Sequence, residues 1–158
     1  MKSVLISIKP KWCELIAGGK KTIEVRKTKP RIDTPFKCYI YCTKDKSKNL
    51  QLQGKVIGEF VCDKITDAIY IGGGEFYAAS CMDIAEWLKY TDGHKGKVWC
   101  WHISALKMYD KPKELVEFRR YLSFLDGESI AELEESGISN IRLKRPPRSW
   151  CYVEGLRS

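Results

Sequence analysis

Residues 98–110, "VWCWHISALKMYD", alternate with a period of two: Trp99, Trp101 and Ile103 on one side, Cys100, His102 and Ser104 on the other. Successive side chains of an extended strand point to opposite faces, so a run with this much aromatic bulk on one side needs a sheet that buries that side. The same period recurs along the chain. "SVLISIK" sets Val4, Ile6 and Ile8 against Leu5 and Ser7, and "KTIEVRK" sets Ile23 and Val25 against Thr22, Glu24 and Arg26. "FKCYIYCTK" is a further strand, and "GKVIGEFVCDKITDAIYI" a long one or a bent pair in which Gly58 marks a bulge. A Pro146-Pro147 turn leads into a last strand, "SWCYVEG".

Helical spacing is confined to short stretches between these runs. "PKWCELIAGG" places Trp12, Cys13, Ile16 and Ala17 on one helical side; Pro10 suits the first turn, and Gly18 or Gly19 stops the helix in the left-handed conformation. "SCMDIAEWLKY" predicts a helix capped by Ser80 with Asp83 as reciprocal partner. "KPKELVEFRRYLSFL" predicts an amphipathic helix from about Pro112, and Ser129 and Glu132 frame a short one around residues 128–135. About six strands and three or four short helices, outside regular βαβ alternation, make an α+β chain with a curled, barrel-like sheet. No repeat, low-complexity tract or long linker divides the chain, so residues 1–158 read as one domain.

No apolar run approaches the roughly 20 residues of a membrane span, and "MKSVLISIKP" is too short for a secretory core, so a soluble cytoplasmic protein is expected. The seven cysteines include no C-x-x-C pair and lie mostly among apolar residues, which reads as small buried hydrophobes. Cys100 and His102 share a strand face, but two ligands do not make a zinc site; no metal or cofactor is expected. The net charge of +8 gathers at the ends. Residues 1–31 hold nine Lys/Arg against Glu14 and Glu24, and residues 142–158 hold five against Glu154. If the ends meet in space, they present one basic face suited to a polyanion.

Gly19-x-Lys21-x-x-Glu24-x-Arg26 resembles the G-x-K-x-x-E-x-R signature of the ASCH domain family, within the PUA-like superfamily. Around it, "SIKPKWCELIAGGKKTIEVRK" resembles the family's first strand, helix and second strand. "KVIGEFVCDKI", "VWCWHISALKMYDKPKEL" and "RPPRSWCYV" are similar to later segments of its bacterial and phage members. Only residues 118–141 find no clear counterpart. The resemblance implies a PUA-like mixed six-stranded β-barrel flanked by short α-helices, with a cleft that receives RNA or a nucleobase.

The residues suit that cleft. Gly19 leaves room for close backbone approach. Lys21 offers a point charge for a phosphate or carbonyl oxygen. Glu24 and Arg26, on one strand face, can grip a base edge between acceptor and donor. Trp12 lies among Lys9, Lys11 and Lys20, and Trp150 follows Arg145 and Arg148; bases stack on such rings while the cations hold the backbone. The plainer readings are a solvated Glu–Arg pair for the strand and core packing for the tryptophans. The expected partners are thus RNA, another single-stranded nucleic acid or a modified nucleoside.

Some members of the family hydrolyse the acetyl amide of acetylated cytidine with a lysine, a threonine and a glutamate. Lys21 falls on that lysine, but Glu24 stands where the threonine would be, removing the nucleophilic hydroxyl. The glutamate's nearest counterpart is Glu75 in "GGGEFYAAS". Water activated by Glu24 or Glu75, with Lys21 steadying the oxyanion, is the catalytic alternative. Binding is the primary expectation. His94 reads as an exposed loop residue, His102 as a strand histidine hydrogen-bonded near the core, and "GGG" at 72–74 as a turn, since no Lys-Ser/Thr follows it.

Overall fold

The computed structural model describes residues 1–46, 52–68, 74–91, 98–122, 132–133, 135–137 and 141–157. The alternating runs become six strands: β1 (Lys2–Ile8), β2 (Ile23–Arg26), β3 (Phe36–Cys42), β4 (Lys55–Ala68), β5 (Val98–Lys113) and β6 (Trp150–Glu154). Three α-helices accompany them among the described residues: α1 (Pro10–Ala17), α2 (Gly74–Ser80) and α3 (Ile84–Thr91). One mixed sheet runs β2-β5-β4-β3-β1-β6. β1 and β3 pair parallel and the other neighbours antiparallel, so this is an α+β fold. No described helix is long and apolar enough to cross a membrane.

Alternation sorts the side chains as the sequence predicts. Val4, Ile6 and Ile8 enter the main core with Trp101, Cys38 and Ile40, while Leu5 faces a second cluster with Tyr39, Phe118 and Leu143. On β5, Trp101 faces the main core and Cys100 joins Ile23, Val25 and Trp87 in a third cluster. That third cluster seats α3 against β2. Five of the cysteines, 13, 38, 42, 62 and 100, are buried as small hydrophobes. Gly58 marks register shifts on both its neighbours, and a Cβ there would meet Lys107 O at 2.7 Å.

The ladder does not close into the expected barrel. β2 and β6 remain its two edges. β2 has only four residues, and the chain beyond it carries Pro30 and Pro35, which have no N–H to donate to a ladder. Side chains span the gap instead: Arg26 reaches Ser7 O and Ser149 Oγ, and Trp150 Nε1 donates to Thr28 Oγ1.

Two predicted helices are also revised. The helix expected from Pro112 is absent: β5 runs on to Lys113, its pairing with Val56 overriding helical periodicity, and a single 3-10 turn follows at Leu115–Glu117. Leu115 and Phe118, three apart, are buried by that one turn. The helix expected from Ser80 starts four residues later, as α3, and a separate helix precedes it. Ser80 ends α2, and Asp83 and Glu86 cap α3 through Glu86 N–H to Asp83 Oδ1 (2.7 Å) and Asp83 N–H to Glu86 Oε2 (3.0 Å). Of the short helix around residues 128–135, one turn is described, Ser136 N–H donating to Glu132 O; Ser129, His94, Gly72 and Gly73 lie outside the described residues.

Candidate functional site

The site begins at the end of α1. Gly19 takes φ +74, and the N–H groups of Gly19, Lys20 and Lys21 fold back onto Ile16 O and Leu15 O. A left-handed residue at this point satisfies carbonyls that the helix leaves open. Gly19 thus contributes a turn; it is not part of the pocket wall. The turn throws Lys21 inward, where it is 2% exposed. Its Nζ donates to Ser80 O at 2.8 Å, lies 3.3 Å from Glu24 Oε2 and sits 4.9 Å from the centre of the Trp12 ring.

Glu24, on β2, is the hub. Its Oε1 accepts from Arg26 Nε (3.0 Å) and Nη2 (2.9 Å). Its Oε2 faces Lys21 but has no hydrogen bond in well-aligned geometry. Arg26 then ties the edge of the sheet together, donating to Ser7 O (2.6 Å) and Ser149 Oγ (3.1 Å). The dense charges that open β2 are therefore an internal Lys–Glu–Arg chain beside a pocket, not a solvated surface pair. Each end of the chain also carries a structural contact, Lys21 on the last carbonyl of α2 and Arg26 on β1 and the start of β6.

The adjoining pocket has a volume of about 260 Å³. Lys9, Trp12, Lys21, Glu24, Arg26 and Arg148 line it, the last from the turn before β6, which the antiparallel β1–β6 pair sets beside the first strand. Lys9 and Arg148 are exposed at its rim; Trp12, half-buried, offers a ring face. Arg145 is exposed and lies outside the lining. Trp150 is half-buried and lies outside the lining: it packs against Trp101 and Tyr152 at centroid distances of 5.9 and 5.3 Å, its indole N–H held by Thr28. Glu75 falls in the first turn of α2, and its side chain lies outside the described residues.

Ser7, Val25, Thr43, Met82 and Tyr90 complete the wall, and sequence reasoning missed them. Thr43 directly follows the last residue of β3, a position readable once that strand is placed. Met82 and Tyr90 arrive with α3, whose seat depends on Trp87 packing against Ile23 and Val25. Burial pushes the Tyr90 phenol up, although Lys27 N–H donates to its oxygen. Tyr90 thus presents a protonated hydroxyl and a second aromatic surface. The Lys11–Glu86 ion pair joins α1 to α3 beside the wall. His102 Nε2 pairs with Thr66 Oγ1 at 3.0 Å, away from the pocket.

The fold matches that of solved ASCH proteins. The ASCH crystal structure from Zymomonas mobilis superposes with a TM-score of 0.66 over 96% of this chain and 87% of that one, at 18% identity. A tyrosine-to-phenylalanine variant of the Zymomonas mobilis protein gives a TM-score of 0.64 over 98% and 91% of the two chains, also at 18% identity. No protein-family model matches the chain. No curated protein matches it either. The chain thus shares the α+β fold of these ASCH structures, with its six-stranded sheet open rather than closed into the expected barrel.

Proposed function

We propose that this chain is a single-domain, cytoplasmic RNA- or modified-nucleotide-binding module whose pocket takes one base. The observation that carries the reading is the Lys21–Glu24–Arg26 chain, buried against a 260 Å³ pocket with ring surfaces from Trp12 and Tyr90. Pockets for drug-sized ligands span about 300–1,000 Å³, so this volume suits one base or nucleoside rather than a longer stretch. Lys9 and Arg148 at the rim supply the charge a phosphate needs, and Trp12 supplies the stacking face. The resemblance of the Gly19–Arg26 segment to a family whose cleft is thought to receive RNA supports the same assignment.

The amidohydrolase alternative draws support from one observation: Thr43 places a hydroxyl on the pocket wall. Against it, the Lys21 amine is engaged by Ser80 O and Glu24, and Glu24 is gripped by Arg26. The residue at the nucleophile's position, Glu24, also brings a carboxylate rather than a hydroxyl. The test is titration of native protein and Trp12→Ala with a short single-stranded RNA at low and moderate salt. Native affinity falls steeply between about 50 and 200 mM salt. Trp12→Ala, which also loses packing against the main core, weakens binding by roughly 1–3 kcal/mol, the scale of one stacked base, at a temperature where circular dichroism shows the variant folded. Absence of binding at low salt, or indifference to Trp12→Ala, overturns the reading.

A further inference from the structure

Two of the buried cysteines face each other. Cys13 lies in α1 and Cys42 is the last residue of β3. Ile8 sets them side by side: it pairs with Cys42 across the parallel β1–β3 ladder, and its carbonyl oxygen lies 3.5 Å from Cys13 Sγ. The two thiols share a hydrogen bond, Cys13 donating to Cys42. Donating it, together with burial, pushes the Cys13 thiol up; accepting it holds Cys42 below its ordinary value, with burial, Asp45 and Glu14 opposing. The thiolate is the nucleophilic form of cysteine, so Cys42 is the reactive member of the pair.

The pair is reached from outside. Cys13 and Cys42 line a recess of about 80 Å³ with Ile57 and Met108, and the exposed residues Glu14 and Leu52 frame its mouth. A water takes up about 30 Å³, so a molecule of two oxygens fits. Cys38, Cys62 and Cys100 are fully buried and lie outside this recess. Trp12 and Thr43, the chain neighbours of the two cysteines, line the base pocket, so a bond between the sulfurs joins α1 to β3 directly beside it.

We propose that Cys13 and Cys42 are a redox site, converted by hydrogen peroxide into a disulfide that clamps α1 to the end of β3. The Cys42 sulfur attacks one peroxide oxygen and the O–O bond breaks. The hydroxide that leaves takes up the Cys42 proton as water, and Cys42 becomes a sulfenic acid. The Cys13 sulfur then attacks the Cys42 sulfur, and the displaced hydroxyl departs with the Cys13 proton as a second water. Two thiols give up two electrons, and one peroxide becomes two waters. The proposal does not depend on what the base pocket binds.

The experiment treats the reduced, folded full chain with hydrogen peroxide, caps the remaining thiols with iodoacetamide and maps tryptic peptides by mass spectrometry. The expected product is a Cys13–Cys42 cross-link that dithiothreitol releases, formed at least about tenfold faster than Cys38, Cys62 or Cys100 is oxidised. Cys38 shares the tryptic peptide of Cys42, so Cys42→Ser, which abolishes the link, fixes the partner. Cys13→Ser keeps a donor beside Cys42 but removes the second sulfur, so the Cys42 sulfenic acid accumulates and is trapped by dimedone. The bond closes a loop of about 30 residues, and the oxidised chain melts about 5–15 °C higher until dithiothreitol is added. Mapping the native chain needs no variant to fold. Oxidation confined to the half-buried Cys81 and Cys151 or to Met108, with Cys13 and Cys42 intact, sinks the site. So does a link that forms only in the urea-unfolded chain, or one from Cys13 that persists in Cys42→Ser. An oxidised chain that melts no higher than the reduced one removes the clamp.

Discussion

Replacing Lys21 by methionine keeps most of the side chain's length, one atom short, and removes its charge, which isolates what the buried amine does. Lys21 is 2% exposed and donates to Ser80 O at 2.8 Å, so the variant leaves the last carbonyl of α2 without its donor, a loss of about 1–3 kcal/mol. It also strips Glu24 Oε2 of the cation 3.3 Å away; breaking a buried pair by removing one partner costs about 3–5 kcal/mol. Arg26 still holds Oε1, and the two losses overlap, so the net expectation is about 3–5 kcal/mol. For a chain of this size that lowers the melting temperature by roughly 6–20 °C. Urea denaturation followed by tryptophan fluorescence measures it. Lys21→Met/Glu24→Gln removes both charges while the amide still accepts from Arg26, and it recovers about 1–2 kcal/mol relative to additivity. A single variant costing under about 1 kcal/mol, or strict additivity in the double, refutes the buried Lys–Glu–Arg chain.

Other outcomes follow from separate parts of the molecule. Burial raises the Glu59 carboxyl, but the Tyr109 hydroxyl and the Lys37 amine more than offset it and hold it below its ordinary value. A lowered value in the folded state stabilises fully above the unfolded value of about 4.3 and is lost as pH falls through the folded value, so Glu59→Gln flattens the acid limb of melting temperature against pH below about pH 5. An unchanged acid limb contradicts the assignment. Gly58→Ala drives a Cβ to 2.7 Å from Lys107 O, a backbone atom, and destabilises by about 1–3 kcal/mol; calorimetry showing no loss removes the close-approach explanation. Acetylated cytidine yields little or no acetate with the native chain, because Glu24 lacks the hydroxyl a nucleophile requires. Turnover abolished by Thr43→Val would make the pocket catalytic, whereas activity gained by Glu24→Thr would place the binding site in an enzyme's pocket.

Strand placement was legible because each strand's two faces meet different surroundings. Val4, Ile6 and Ile8 go to one core and Leu5 to another; Trp101 and Cys100 divide the same way. Where local pattern and tertiary pairing compete, pairing wins, as at Lys113, which stays on β5 opposite Val56 despite a helical pattern beyond Pro112. Barrel closure was not legible, since it depends on whether a four-residue edge strand followed by two prolines can meet β6. The same distinction applies to the site. Lys21, Glu24 and Arg26 lie within six residues of one another, so their convergence could be read from one strand. Tyr90 lies on α3 and Met82 just before it; the position of α3 follows from the burial of Trp87, and no spacing in the sequence announces that packing. Trp150 read both as a ring beside basic residues and as core packing; half-buried, it packs on Trp101 and Tyr152.

The central claim is that the pocket beside Lys21, Glu24 and Arg26 receives a base. Crystals of the native chain grown with a nucleoside 5′-monophosphate test it most directly. The expected result is a base in the 260 Å³ pocket, stacked on Trp12, with a polar edge within about 3.5 Å of the Lys21 amine and the phosphate at the rim by Lys9 and Arg148. A nucleotide bound elsewhere with this pocket unoccupied, or no nucleotide at saturating concentration, contradicts it.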